Sequence, residues 1–82
     1  MYQVEVSRHA RRRMAQRRVD IKEVWAVIDG PPDVAVHDPD EKSYRLELTL
    51  PGGRLKVWVS EPWPPGYAVA TVHVRSVAWK DR

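Results

Sequence analysis

Residues 7–24 read Ser-Arg-His-Ala-Arg-Arg-Arg-Met-Ala-Gln-Arg-Arg-Val-Asp-Ile-Lys-Glu-Val, and how this stretch is parsed decides the fold. Ser7 is suited to cap a helix of about three turns. Within those turns Ala10 and Met14 stack at i, i+4 as a narrow apolar stripe. His9, Arg13 and Arg17 repeat the same step on its flank, at the rim where the helix meets what it packs on. Arg8, Arg12 and Ala15 point the opposite way, to solvent. Val19 and Asp20 break the register. Asp20 and Glu23 then have capping-box spacing and open a second helix. Its apolar face is Ile21, Val24, Trp25 and Ile28 at i, i+3, i+4, i+7. Gly30, Pro31 and Pro32 end it. The expectation is a helical hairpin whose second helix is the better core former.

Outward from the hairpin the period changes from 3.6 to two. Tyr2, Val4 and Val6 alternate with Gln3 and Glu5, which predicts a short strand before the helices. Residues 33–37 form another short strand, and residues 38–42 carry turn chemistry. Residues 43–50 alternate, with Tyr44, Leu46, Leu48 and Leu50 on one face. Pro51-Gly52-Gly53 is a hairpin signal. Residues 54–60 return with Leu55, Val57 and Val59 inward and Arg54, Lys56 and Trp58 outward. A stiff loop, residues 61–66, leads to a last long strand over 67–75. It puts Ala68, Ala70, Val72 and Val74 on one face and Tyr67, Val69, Thr71 and His73 on the other. Residues 76–82 either extend that strand or fray, and Trp79 argues for docking. The architecture expected is α+β: a short N-terminal strand and a two-helix hairpin packed on one face of a four- to five-stranded antiparallel sheet.

The chain has 82 residues, the size of a single domain, spanning 1–82. It has no cysteine, so neither a disulfide framework nor a thiolate zinc site is expected. No apolar run approaches the ~18 residues of a membrane span, and residues 1–8 do not read as a signal peptide. A soluble cytoplasmic protein is expected. The formal net charge of +3 is unevenly placed. Arg8, Arg11, Arg12, Arg13, Arg17 and Arg18 cluster with no acid among them, and the other seventy residues carry eight bases against eleven acids, a balance of −3. Such a concentrated field attracts phosphate backbones or an acidic partner, unless it is merely a solvated helix face.

The spacing H-A-x-x-R-M-x-x-R-x-V-x-x-x-x-V is matched by His9, Ala10, Arg13, Met14, Arg17, Val19 and Val24. With Val69-Ala70-Thr71-Val72-His73 in the last strand, it resembles a small bacterial family, a domain of unknown function, over nearly the whole chain. That family is similar to RelE-like toxins and to the barnase–colicin–RelE class of ribonuclease folds. The resemblance implies a RelE-like fold and a toxin–antitoxin role in RNA cleavage.

Cleaving RNA without a metal needs a base for the 2′-hydroxyl, an acid for the leaving 5′-oxygen and cations on the pentavalent transition state. Histidine suits the proton transfers, and the arginine fork suits phosphate oxygens. His9 with Arg13 and Arg17 forms one such set on the helix rim. His73 with Arg45 and Lys56 forms another on the open sheet face. The candidate catalytic residues are therefore His9, Arg13 and His73. The candidates for RNA contact are Arg12, Arg17, Arg45, Lys56, Tyr44 and Thr71.

Each has an alternative structural role. His9 suits a backbone hydrogen bond, Arg13 an ion pair with Glu47, Arg17 the helix dipole, and Thr71 strand packing. Trp58, Trp63 and Tyr67 suit either base stacking or a partner interface. His37, Asp38, Asp40 and Glu41 lack a second histidine at ligand spacing, so neither metal nor cofactor is expected. The expected partners are RNA or the ribosome, an acidic antitoxin segment, or a second copy of the chain. A non-catalytic nucleic-acid-binding or homodimeric interaction module is the alternative. A nuclease would gather His9, Arg13, Arg17, Tyr44 and Thr71 around one concave pocket.

Overall fold

The computed structural model describes residues 2–67 and 70–80. In chain order the elements are β1 (Gln3–Val6), α1 (Arg8–Arg17), α2 (Ile21–Asp29), β2 (Val34–Asp38), β3 (Ser43–Leu50), β4 (Gly53–Ser60) and β5 (Thr71–Lys80). The helix boundaries follow from their caps. Ser7 Oγ accepts the Ala10 N–H at 3.0 Å. At the other end Arg18 adopts a left-handed conformation (φ 53°, ψ 49°), and its N–H reaches the Met14 carbonyl. Asp20 then caps α2. Its carboxylate accepts the Lys22 N–H at 2.9 Å, while Glu23 accepts the Asp20 N–H at 3.0 Å.

α2 ends at Gly30, whose φ of −76° is ordinary. Glycine is required there by proximity instead. A Cβ would lie 2.7 Å from the Ala26 carbonyl oxygen.

The five strands form one sheet in the order β1-β5-β4-β3-β2. β2 through β5 are antiparallel neighbours, as the hairpin signals required. β1, however, pairs in parallel with β5, Val4 opposite Val72 and Val6 opposite Val74, so the sheet is mixed and not antiparallel. Alternation reveals which residues share a face. It does not reveal which edge a four-residue strand joins, or in which direction, because the intervening helices can carry the chain to either edge.

One face of the sheet is covered. α1 packs along β5, and α2 lies over β3 and β4. Between them sits a core of Ala10, Val19, Val24, Val27, Ile28, Leu46, Leu55, Val57, Val59, Val72, Val74 and Val77. It is entirely aliphatic, and each valine, leucine or isoleucine contributes roughly 1.5–3 kcal/mol before conformational entropy opposes it. The face of α2 is rotated from the expected one. Val24, Val27 and Ile28 are buried, whereas Ile21 is 42% exposed.

The last strand also departs from expectation. It runs from Thr71 through Lys80 as one strand. Ala68 and Val69, assigned to it from alternation, lie outside the described residues. Trp58 faces Ser76 while Val59 faces Val74, which leaves Arg75 as the extra residue of a β-bulge. The bulge reverses the parity of the strand. Val72 and Val74 point to the core before it, and Val77 and Trp79 after it. A single period of two therefore loses the strand at residue 75.

Candidate functional site

The uncovered sheet face begins with Arg45, Glu47 and Thr49 on β3, beside Arg54, Lys56 and Trp58 on β4. Glu47 is its anchor. The residue is 6% exposed, yet it accepts from Arg45 Nε at 2.8 Å and from Arg54 Nε at 2.9 Å. Arg54 goes on to Asp33 at 3.1 Å and to Thr49 Oγ1 at 2.9 Å. The hydrogen bond from Arg54 holds the Glu47 carboxyl below its ordinary value, with Arg45 adding to it against the opposing effect of burial. Glu47 in turn raises the pKa of Arg54. Arg45, expected to contact RNA, is thus already engaged by an acid of its own chain.

α1 is the opposite case. Arg8, Arg11, Arg12, Arg17 and Arg18 are exposed, and Arg13 is half-buried. None of these six forms an ion pair among the described residues. The ion pairs present involve His37, Arg45, Arg54 and His73. Arg13 does not meet Glu47, because Glu47 lies on the face away from the helices and is held there by two other arginines.

The start of α1 and the open sheet face come close at one place. β1 stops pairing at Val6, opposite Val74. There the chain turns, Ser7 donating its N–H to the Val74 carbonyl at 3.0 Å and its hydroxyl to the Arg75 carbonyl at 3.3 Å. The first turn of α1 is therefore pinned beside the bulge, where β5 has no further neighbour on that side. His9 consequently lines a cavity of about 320 Å³ together with residues of the opposite sheet face, Trp58 and Ser76, and with Ser43, Asp38, Glu41 and Arg75. Arg75 is fixed in it, with Nε donating to Ser60 Oγ at 2.7 Å and Nη1 to the Glu41 carbonyl at 2.5 Å. Asp38 uses one carboxylate oxygen to accept the Glu41 N–H at 3.2 Å. The imidazole of His9 and the carboxylate of Glu41 have no hydrogen-bond partner among the described residues.

Of the five residues expected around one pocket, only His9 lines this one. Arg12, Arg13 and Arg17 continue away from it along α1. The Arg17 carbonyl accepts Trp79 Nε1 at 2.9 Å, which ties the far end of the helix to β5. Tyr44 stacks on His37 with ring centroids 4.5 Å apart. Thr71 lies opposite Gln3 at the start of β5. His73 is on the open face, with Nδ1 3.8 Å from Glu5 on the neighbouring strand. Lys56 is half-buried and opposite Glu47 in register.

Sequence reasoning found Trp58 as a stacking candidate but missed Arg75. The signal was present. The apolar spacing Val72, Val74, Val77 changes step at Arg75, and such a change marks a bulge that can redirect a side chain.

Among the described residues no group of three or more histidine, aspartate or glutamate side chains is placed to hold a metal ion, and no helix is long and apolar enough to cross a membrane. Comparison with curated proteins returned no match. Comparison with solved structures likewise returned none. The family of proteins described as domain of unknown function DUF4258 does match, over residues 6–73, and that span runs from the end of β1 through both helices into β5: the chain belongs to this family.

Proposed function

We propose that the protein acts on RNA, as a toxin-like ribonuclease of RelE type that needs no metal. In this reading the arginines of α1, with Arg12, Arg13 and Arg17 foremost, lie along the phosphate backbone. His9, at the start of the same helix, faces the cleaved nucleotide. The observation that carries the reading is the cluster of six arginines on α1 and its C-cap, with no acidic partner among the described residues, on the helix whose His9 lines a cavity. An unpaired guanidinium cluster is what a polyanion neutralises, by displacing its own counterions. An acidic antitoxin segment would compete for the same surface.

In the cleavage step His9 removes the proton of a ribose 2′-hydroxyl, and the oxygen attacks the adjacent phosphorus. The P–O5′ bond breaks, and the imidazolium returns its proton to the leaving oxygen. The products are a 2′,3′-cyclic phosphate and a 5′-hydroxyl. The donors that Arg75 does not spend on Ser60 and Glu41 offset the charge of the transition state.

Purified protein incubated with single-stranded and structured RNA in EDTA is expected to give cyclic-phosphate ends. His9→Ala is expected to remove cleavage by at least about a hundredfold while binding persists. Equal cleavage by this variant would exclude His9. A second reading, a binding module without turnover, is favoured by one observation: no side chain among the described residues orients the His9 ring. Salt-dependent RNA binding with no product would select it. A flat plot of log affinity against log salt would remove nucleic acid altogether and leave protein interaction.

A further inference from the structure

We infer that β2 is a self-association edge: two copies of the chain join their β2 strands antiparallel about a two-fold axis and so form one continuous sheet. The inference is independent of the RNA reading, because β2 ends the sheet on the side away from β5, where α1 packs.

The two edges of the sheet are unlike. β1 exposes Gln3 and Glu5 and turns Val4 and Val6 toward the core. β2 exposes Ala35, Val36, His37 and Asp38, and Val34 is half-buried. α2 lies over β3 and β4, and Ala35, opposite Leu46 on the helix side of β2, is in solvent. On the open face Val36 is 42% exposed. Edges that must stay single usually carry a lysine, a proline or a bulge within the strand. Residues 34–37, Val-Ala-Val-His, carry none of these. Pro31 and Pro32 precede the strand and Pro39 follows it. Proline has no N–H to give to a ladder, so pairing is confined to the residues between. An edge of this kind joined to its own copy about a two-fold is used up, and the assembly closes at two.

A second copy fits this edge because its charged rows are complementary in one register. On the open face one row runs Trp58, Arg45, Val36, and another runs Lys56, Glu47, Val34. The first valine is flanked by a cation and the second by an acid. A two-fold centred on Ala35 sets Val36 of each copy opposite Val34 of the other. Both junctions then bring an arginine-flanked valine against a glutamate-flanked one, and the valines cover each other. On the helix side the apolar row Val57, Leu46, Ala35 continues into Ala35 of the second copy. A two-fold centred on Val36 would instead set Asp38 opposite Val34, beside Glu47, so that acid meets acid. One short strand from each copy makes a small contact, and the dimer is accordingly weak and concentration-dependent.

Sedimentation equilibrium of the whole chain over a rising concentration series is expected to show monomer and dimer and no larger species. Val36→Glu is expected to weaken dimerisation at least about tenfold, and Val36→Lys less, since only the glutamate meets the acid-flanked valine with like charge. Thermal melts of both variants, expected to stay within a few degrees of the parent, show that the fold persists. The chain has no cysteine, so single replacements report the register. On air oxidation Ala35→Cys is expected to form linked dimers, its Cα lying directly opposite its own copy, and Val36→Cys to do so at least about tenfold more slowly. A monomer at every concentration overturns the inference and leaves this edge to a chain of another kind. Undiminished dimerisation in Val36→Glu overturns it as well, and so does faster linking through Val36→Cys than through Ala35→Cys.

Discussion

The two arginine-rich regions of this molecule use the same side chain to opposite ends. On the open sheet face Arg45 and Arg54 converge on Glu47, an acid 6% exposed, and their charge is spent inside the fold. On α1 and its C-cap six arginines carry no acid among the described residues. A buried carboxylate between two guanidinium groups organises strands, since removing it would leave cations without their partner. A guanidinium cluster in solvent contributes nothing of that kind, and its mutual repulsion opposes folding slightly. Charge that the fold does not use is charge available to a ligand. Counting basic residues cannot distinguish the two cases; their acid partners do.

The sharpest way to break this contrast is to remove each set and read both stability and binding. Replacing Arg12, Arg13 and Arg17 together by alanine is expected to lower RNA affinity about a hundredfold near 0.1 M salt. The slope of log affinity against log salt should fall by about two to three. The melting temperature should shift by no more than a few degrees. A large loss of stability with unchanged affinity would invert the assignment. Arg45→Ala should do the reverse, lowering the melting temperature while changing RNA affinity less than about threefold.

Next in size is Glu47→Gln. It keeps the shape and removes the charge between Arg45 and Arg54, and calorimetry is expected to show a loss of about 5–10 °C. The same acid gives the contrast a pH signature. Its folded pKa is lowered, so its stabilising effect is complete above the ordinary carboxyl value of 4.5 and disappears as pH falls through the lower folded value. The raised value of Arg54 acts only at alkaline extremes. The expected result is a loss of stability on acidification below about pH 4.5 that is shallower in Glu47→Gln. An identical acid limb in both proteins would show that the carboxylate is not an anchor.

The smallest effect concerns the end of α1. Arg18 holds a left-handed conformation that costs an L-residue roughly 1 kcal/mol more than glycine. Arg18→Gly is expected to raise the melting temperature by a few degrees at most, part of the gain being lost to the freer unfolded chain. Loss of one cation should weaken RNA binding by less than about threefold. Stability and affinity moving in opposite directions would again separate what the fold uses from what the ligand uses.

The sequence was a good guide wherever the physics is local. Ser7, Asp20 and Glu23 announced both helix starts, because a cap is a contact between residues two or three apart. Leu46, Leu55, Val57 and Val59 were assigned to the core by alternation alone. The rotation of the α2 face, which leaves Ile21 outside, was not legible, since the orientation of a helix about its axis is set by the sheet beneath it.

The amino-acid sequence by itself determined the elements, their order, the inward side of most strands and the concentration of positive charge on one helix. All of these depend on neighbours along the chain. Only the tertiary structure decided that β1 lies parallel beside β5 and that a bulge at Arg75 turns the last strand over. It alone brought His9 into one cavity with Trp58 and Arg75, residues 49 and 66 positions away in the chain. Those outcomes follow from which edge of a sheet was free and which acids had already been claimed, and both are settled by contacts between distant residues.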